Sequence, residues 1–186
     1  MAEIPENAKK VFQGKIFEVW QWEQKLFDGT FKTFEMLKRA DSAAVIAVTP
    51  DKKIIITEQL QPHWKKSVIA LPGGMCDSGD TPQEEAAREL REETGYTSKA
   101  WKQWKTHCPD AKTARTIHTF IARDAVKTHP LALDAGEQIT TRIVTLDEFL
   151  LLAGDPDFRH KDIQLDLILA KYDPTKRKAL EKELFG

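Results

Sequence analysis

The chain has 186 residues, 41% of them apolar, with 28 Lys plus Arg against 29 Asp plus Glu and a formal net charge of -1. That length supports one domain with a sizeable core, and the composition excludes collagen-like, mucin-like and wholly disordered classes. The balanced charge gives no sign of a broad nucleic-acid face, yet it is compatible with an arginine-rich pocket for a polyanion. Two cysteines, Cys76 and Cys108, are too few for a disulfide framework or a thiolate zinc site, which suggests a reducing compartment. The N-terminus, MAEIPENAKK, lacks the apolar run of a signal peptide. The longest apolar stretches, residues 43–48 and 149–153, fall far short of the ~20 residues of a membrane span. The expectation is a soluble, cytoplasmic protein.

In chain order, the first ten residues are polar and are expected to fray. Residues 15–24 and 31–37 read as strands of a hairpin, with Asp28-Gly29 as the turn pair. Residues 43–48 and 54–58 are strand-like and joined by a turn at residues 49–53. A short apolar run at 68–71 ends in Pro72-Gly73-Gly74. The clearest element is a helix over 82–94. Thr81 is its N-cap, Pro82 sits at the first position, Glu84 completes a capping box, and Gly95 ends it at C′. Strands are expected at 100–104, 116–122 and 139–144. A short helix begins at Leu146, with Asp147 as its candidate cap. Residues 162–171 are apolar at helical spacing, and the charged tail KRKALEKELFG either extends that helix or frays.

The segment over 74–96, GMCDSGDTPQEEAARELREETGY, carries the chemistry. Positions three and four apart share a helix face, so Glu89 lies beside Glu85, Glu92 and Glu93, and each like-charge pair costs roughly 0.2–0.5 kcal/mol. The opposite face carries Ala86 and Leu90. Such a helix is either a solvated acidic face or a site for a hard cation, which prefers carboxylate and carbonyl oxygen. The Gly73-Gly74 pair lets main-chain oxygen approach. Arg88, with Glu84 and Glu92 four residues away on each side, is placed to pair with them. The five histidines (His63, His107, His118, His129 and His160) are scattered without metal-ligand spacing.

Gly74, Asp80, Arg88-Glu89-Leu90, Glu92-Glu93, Gly95 and Tyr96 match the spacing of the Nudix box. The segment resembles that family at nine specified positions, with one departure: Asp80 stands where the family usually has Glu. The resemblance implies a mixed α/β (α+β) Nudix fold, a β-sheet sandwiched between helices. It also implies hydrolysis of a nucleoside diphosphate linked to another moiety, with Mg2+ (Mn2+ possible) as cofactor. By the same resemblance Glu89, Glu93 and the Gly74 carbonyl are the metal ligands. Glu92 binds metal or the box arginine, and Arg88 orients the carboxylates.

Features beyond the box resemble the ADP-ribose and nucleoside diphosphate sugar pyrophosphatase branch. Residues 1–40 look like its N-terminal antiparallel extension, used to build an intertwined homodimer, before a hydrolase domain at 41–186. Pro109 lies thirteen residues after Tyr96, the rough position of a proline that marks ADP-ribose hydrolases. The run Asp134-Ala-Gly-Glu-Gln-Ile139 resembles the loop that supplies a late catalytic glutamate, which makes Glu137 the candidate base; by itself it reads as a solvated turn carboxylate. Two departures touch the substrate side. Ala70 stands where the branch usually has Glu, and the strand reads Glu58-Gln-Leu-Gln61 without the usual following Arg.

Trp20 and Trp22 share a strand face and suit either base stacking or a dimer core. Arg39 is a candidate for base or phosphate contact, and Trp64 for the pocket entrance. Cys76 has no base beside it in sequence and is not expected to act as a nucleophile. The leading reading is a pyrophosphatase of ADP-ribose or a related nucleoside diphosphate sugar. A GDP-mannose or UDP-sugar hydrolase is the alternative, and a non-catalytic Nudix-fold binding module is the alternative of another class.

Overall fold

The computed structural model describes residues 3–76 and 79–186; Asp77 and Ser78 of the box segment lie outside the described residues. The chain begins with β1 (Lys9–Gln13), β2 (Glu18–Lys25) and β3 (Phe31–Lys38). There follow β4 (Ser42–Val48), β5 (Ile54–Leu60), β6 (Val68–Ala70) and β7 (Gly73–Met75), then α1 (Pro82–Thr94). After it come β8 (Tyr96–Thr97), β9 (Ala100–His107), β10 (Thr113–Ala114), β11 (Ile117–Arg123), β12 (Val126–Lys127) and β13 (Gln138–Val144). The chain closes with α2 (Leu146–Leu151), a 3-10 turn (Leu152–Gly154), α3 (Lys161–Tyr172) and α4 (Pro174–Phe185).

The central sheet has the order β13-β5-β4-β11-β9, with β6 on β5 and β7 on β4. β4 and β11 run parallel, while β13/β5, β4/β5 and β9/β11 are antiparallel, so the sheet is mixed. β4 explains the layering. It is apolar at nearly every position because both of its faces are buried. Ala44, Ile46 and Val48 point into the core shared with Phe149, Phe158, Ile163 and Leu167. Ala43, Val45 and Ala47 point to the other side, against Ala86 and Leu90 of α1. The sheet is therefore sandwiched, with α1 on one face and the C-terminal helices on the other.

Three local expectations are corrected. The N-terminal segment does not fray throughout, because β1 pairs antiparallel with β2 from Lys9 onward. α2 is capped by Thr145, whose side chain accepts from the Glu148 N–H, while Asp147 sits in the first turn and pairs with Arg177 at 2.7 Å. The charged tail forms a helix of its own. Asp173 breaks from helical geometry, its side chain accepts from the Thr175 and Lys176 N–H groups, and Pro174 takes the first turn of α4.

The β4 and β5 ladder holds only at Ala47↔Ile55 and Val48↔Ile54. Beyond it β5 pairs with β6 and β4 with β7, and the Pro72 carbonyl accepts from the Val45 N–H at 3.0 Å. The parting of two core strands thus admits the glycine pair, directly beneath α1. β1, β2 and β3 form a second sheet, joined by the short β10, which lies parallel to β3.

Candidate active site

α1 forms where its local signals place it. Thr81 and Glu84 exchange both bonds of a capping box, and Gly95 ends the helix at φ 77 with its N–H on the Arg91 carbonyl. With both ends fixed, the apolar face settles on the sheet and the acidic face turns toward the glycine loop. A Cβ on Gly74 would stand 2.3 Å from Glu89 Oε1 and 3.1 Å from Glu85 Oε1. Only a residue without a side chain allows the loop backbone so near these carboxylates.

The acids are held in two groups. Arg88 donates to Glu85 at 2.5 Å, to Glu89 at 2.7 Å and to Glu92 at 2.5 Å. Its expected partner Glu84 is not among them, since the capping box occupies Glu84 at the helix start. Partial burial works against the Arg88 charge, but the Glu85 hydrogen bond and the charges of Glu89, Glu85 and Glu92 outweigh it and raise its pKa. Glu93 is 3% exposed. It accepts from Gln59 Nε2 at 3.0 Å and from the Gly73 N–H at 3.2 Å.

Burial, opposed by Arg88 and reinforced by Glu85 and Glu137, pushes Glu89 up to about 7. Burial and the charges of Glu89 and Glu137, against the Gly73 N–H and Arg159, push Glu93 up to about 9. Carboxylates in this condition hold protons unless a cation compensates them. Their donor set, carboxylate oxygen beside a stripped backbone, fits a divalent hard cation. Among the described residues no three His, Cys, Asp or Glu side chains are gathered closely enough to hold a metal ion by themselves.

Glu137 belongs to the same place. Its loop is tied along the end of α1: the Thr128 and His129 N–H groups bond the Gly95 carbonyl, and the Ala132 N–H bonds the Glu92 carbonyl. Glu137 is half-buried; its carboxylate accepts from the Asp134 N–H at 3.3 Å, and its charge acts on both Glu89 and Glu93. A cleft of about 360 Å³ opens beside it, lined by Glu58, Ser67 and Glu137 among others. A larger groove of about 520 Å³ lies between the first turn of α1 and His118. It contains neither Glu89, Glu93 nor Glu137, so chemistry rather than volume locates the site.

The remaining candidates fall as follows. Asp80 is exposed just before the helix. Trp20 and Trp22 are half-buried on one face of β2. Trp22 meets the Phe34 ring at 6.0 Å, and Trp20 carries Lys10 and Lys38 over its ring at 5.7 and 5.9 Å. Pro109 is exposed between β9 and β10. Cys76 packs against the α1-side core. Trp64 is half-buried, with the Arg159 guanidinium over its ring at 5.1 Å.

Sequence reasoning missed Gln59, Arg115 and Arg159. Gln59 left a readable trace: with Thr57 it is a buried polar interruption of an apolar strand, and such groups need partners. Arg115 and Arg159 left none, because each acquires its neighbours only through the fold.

Residues 38–163 match the NUDIX domain family, and the chain belongs to that family; it is a Nudix hydrolase. Over 146 residues it is 30% identical to an ADP-ribose pyrophosphatase of Bacillus subtilis (strain 168), covering 77% of this chain and 79% of that protein. It shows the same identity and coverage with a methanol dehydrogenase activator of Bacillus methanolicus. Among solved structures it is similar to an ADP compounds hydrolase, with a TM-score of 0.74 at 17% identity over 95% of this chain and 92% of that one. At that identity the likeness concerns the fold alone. Nudix hydrolases generally use divalent metal ions. Among the described residues no helix is long and apolar enough to cross a membrane.

Proposed function

We propose that the chain hydrolyses the diphosphate bond of ADP-ribose or a related nucleoside diphosphate sugar, giving a nucleoside monophosphate and a sugar phosphate. The observation that carries this is the approach of Glu137, from the loop before β13, to Glu89 and Glu93 of α1, on both of which its charge acts. Glu89, Glu93 and the Gly74 carbonyl would hold magnesium, or manganese in its place. When bound, such an ion neutralises phosphate charge and polarises the P–O bond. Arg88 and Glu92 keep the Glu89 carboxylate in position.

Glu137 accepts the proton of the attacking water. The water oxygen bonds to phosphorus, and the bridging P–O bond breaks to release the second phosphate. Glu137 suits this role because among the described residues its carboxylate is held by one backbone N–H, whereas Glu93 is engaged by Gln59 and Gly73 and Glu89 by Arg88.

Residues 1–40 serve as a dimerisation unit and residues 41–186 as the hydrolase in this reading, which takes the protein as a cytoplasmic homodimer. Val11, Phe12, Phe17, Phe31 and Leu37, exposed in the N-terminal sheet region, favour such a partner.

The test is phosphate release from ADP-ribose, ADP-glucose, GDP-mannose and UDP-glucose with a coupled phosphatase. Turnover that needs magnesium or manganese, stops with chelator and falls at least 100-fold in Glu93→Gln is expected. No turnover of any of these with either ion would overturn the reading. A preference for GDP-mannose or UDP-glucose would keep the reaction and move the sugar nucleotide.

A further inference from the structure

Three arginines that the box does not include stand together on the other side of the glycine loop. β3 and β10 run parallel with Leu37↔Thr113 and Lys38↔Ala114 in register. The next residues are Arg39 and Arg115, with the Arg39 N–H on the Ala114 carbonyl at 3.4 Å. Arg39 Nη2 reaches Met75 Sδ at 3.2 Å, and Met75 directly follows Gly74 of the candidate metal loop. Arg115 Nη2 donates to Ser42 Oγ at 2.7 Å. Arg159 arrives from the loop before α3, its N–H on the Ile69 carbonyl at 2.9 Å, and its side chain lies over Trp64.

Arg115 feels both Arg39 and Arg159, and Arg159 feels Arg39. Desolvation and the charges of Arg39 and Arg159 lower the pKa of Arg115, against Asp41 and Asp162; desolvation and Arg39 lower that of Arg159, against Glu93. Like charges gathered this way oppose folding unless an anion occupies the space between them. The described carboxylates that act on them, Asp41, Asp162 and Glu93, stop short of pairing with them. None of the three has a carboxylate ion pair among the described residues. The Nε atoms of Arg39 and Arg115 are buried without a hydrogen-bond partner among the described residues. Arg39 spends a donor on a thioether, a weak acceptor. Asp41 is engaged by the Thr116 N–H at 2.7 Å and Asp162 by Thr119 Oγ1 at 3.3 Å. Arg159 remains open to solvent, so a ligand can reach the group.

We infer that Arg39, Arg115 and Arg159 form one phosphoryl-binding site beside the carboxylate cluster, able to take phosphate oxygens without a divalent ion. The guanidinium fork matches phosphate oxygens two at a time. Three forks from three segments supply more donors than a single phosphate edge uses, which points to a diphosphate or to two neighbouring phosphoryl groups. The site faces the acids across the glycine loop: Arg39 touches Met75, and the charge of Arg159 acts on Glu93. The ligand is therefore gripped by arginine on one side and reached from the carboxylates on the other. This deepens the pyrophosphatase reading and rests on it for the identity of the ligand, but the binding titration does not depend on turnover.

The experiment is calorimetric titration of the full chain with inorganic pyrophosphate in chelator. Binding is expected, weakening at least 10-fold in Arg159→Ala and in Arg115→Ala, with partial recovery in Arg115→Lys. Each neutralised contact also flattens the dependence of log Kd on log salt. Arg159 is exposed, so its variant tests the site even if the Arg115 change impairs folding; unchanged melting temperatures identify the folded variants. No binding to the folded wild type, or binding indifferent to both alanine changes, overturns the inference. Binding that is lost in the variants while no nucleoside diphosphate compound is turned over keeps this site and removes the proposed function.

A second arm separates the two sources of phosphoryl group. Equal rises of KM in Arg159→Ala for ADP-ribose and for its 2′-phosphorylated form place the diphosphate itself in the site. A larger rise for the phosphorylated form places the additional phosphate there. No rise for either overturns the assignment.

Discussion

Replacing Gly74 by Ala asks whether the glycine loop serves the fold or the chemistry. The added Cβ would lie 2.3 Å from Glu89 Oε1 and 2.8 Å from its Cδ, where ordinary contact begins at 3.4 Å. The carboxylate must retreat by about 1 Å. Gly74 has no positive φ, so the substitution adds no backbone strain, and the obstacle is the end of a flexible side chain. An off-rotamer Glu89 costs ~0.5–1.5 kcal/mol, a fall in Tm of only a few degrees for a chain of this size. Catalysis is less forgiving, because a shift of ~1 Å in a positioned group costs on the order of 100-fold in rate, or ~2.7 kcal/mol. The assay is kcat for ADP-ribose hydrolysis at saturating magnesium, with a thermal melt of the same sample. We expect a 30- to 300-fold loss, in the range of that ~100-fold estimate, with Tm lowered by less than about 5 °C. A variant within about threefold of wild-type kcat would refute the placement of Glu89 against the loop as catalytically required.

Thr81→Ala is the matching structural control. It removes one half of a capping box and is expected to cost ~1 kcal/mol of stability while leaving kcat within twofold; a large kcat loss without a Tm change would contradict it. Glu137→Gln should lower kcat by ~100-fold or more. A variant that keeps near wild-type kcat would transfer the base role to a box glutamate. In chelator, stability should fall as pH rises from 7 to 9. The folded pKa of Glu93 is about 9 and that of Glu89 about 7, both above the unfolded value of 4.5; the native state keeps protons that the unfolded chain has lost, and their stabilising effect disappears as pH climbs through the folded values. One such proton gives a slope of ~1.4 kcal/mol per pH unit. Melting curves in chelator should therefore decline over that window and flatten in Glu93→Gln or with added magnesium; a flat wild-type profile would count against the burial of Glu93. Gln59→Leu removes the donor on Glu93 Oε1 and should cost ~1–3 kcal/mol of stability, with lower activity at neutral pH.

Local sequence was enough for whatever its own neighbours could satisfy. The Thr81–Glu84 box and the Gly95 stop span at most a few residues each, so α1 and its acidic face follow from the chain without reference to the rest of the fold. β4 advertised its position in the same way, by being apolar on both faces. The box spacing carried the family and its candidate metal ligands. Even within α1 a local rule misled where two partners competed: Glu84 is spaced to pair with Arg88, but the helix start claims it, and Glu85 takes the place. The Asp173-Pro174 break between α3 and α4 is likewise a local signal, a capping residue followed by proline.

The rest belongs to tertiary structure, because it depends on residues that meet only after chain segments pair. β1 exists because β2 is beside it. Glu137 becomes more than a turn carboxylate because its loop is bonded to the Gly95 and Glu92 carbonyls. Gln59 becomes a partner of Glu93 because β4 and β5 part and let the glycines through. Arg39, Arg115 and Arg159 are 76 and 44 residues apart along the chain. A parallel strand pair and the contact of Arg159 with Ile69 unite them, and no spacing rule encodes an encounter of that kind. Side-chain type and local geometry can be read in sequence; the electrostatic field at a site is a sum over neighbours, and the fold chooses the neighbours.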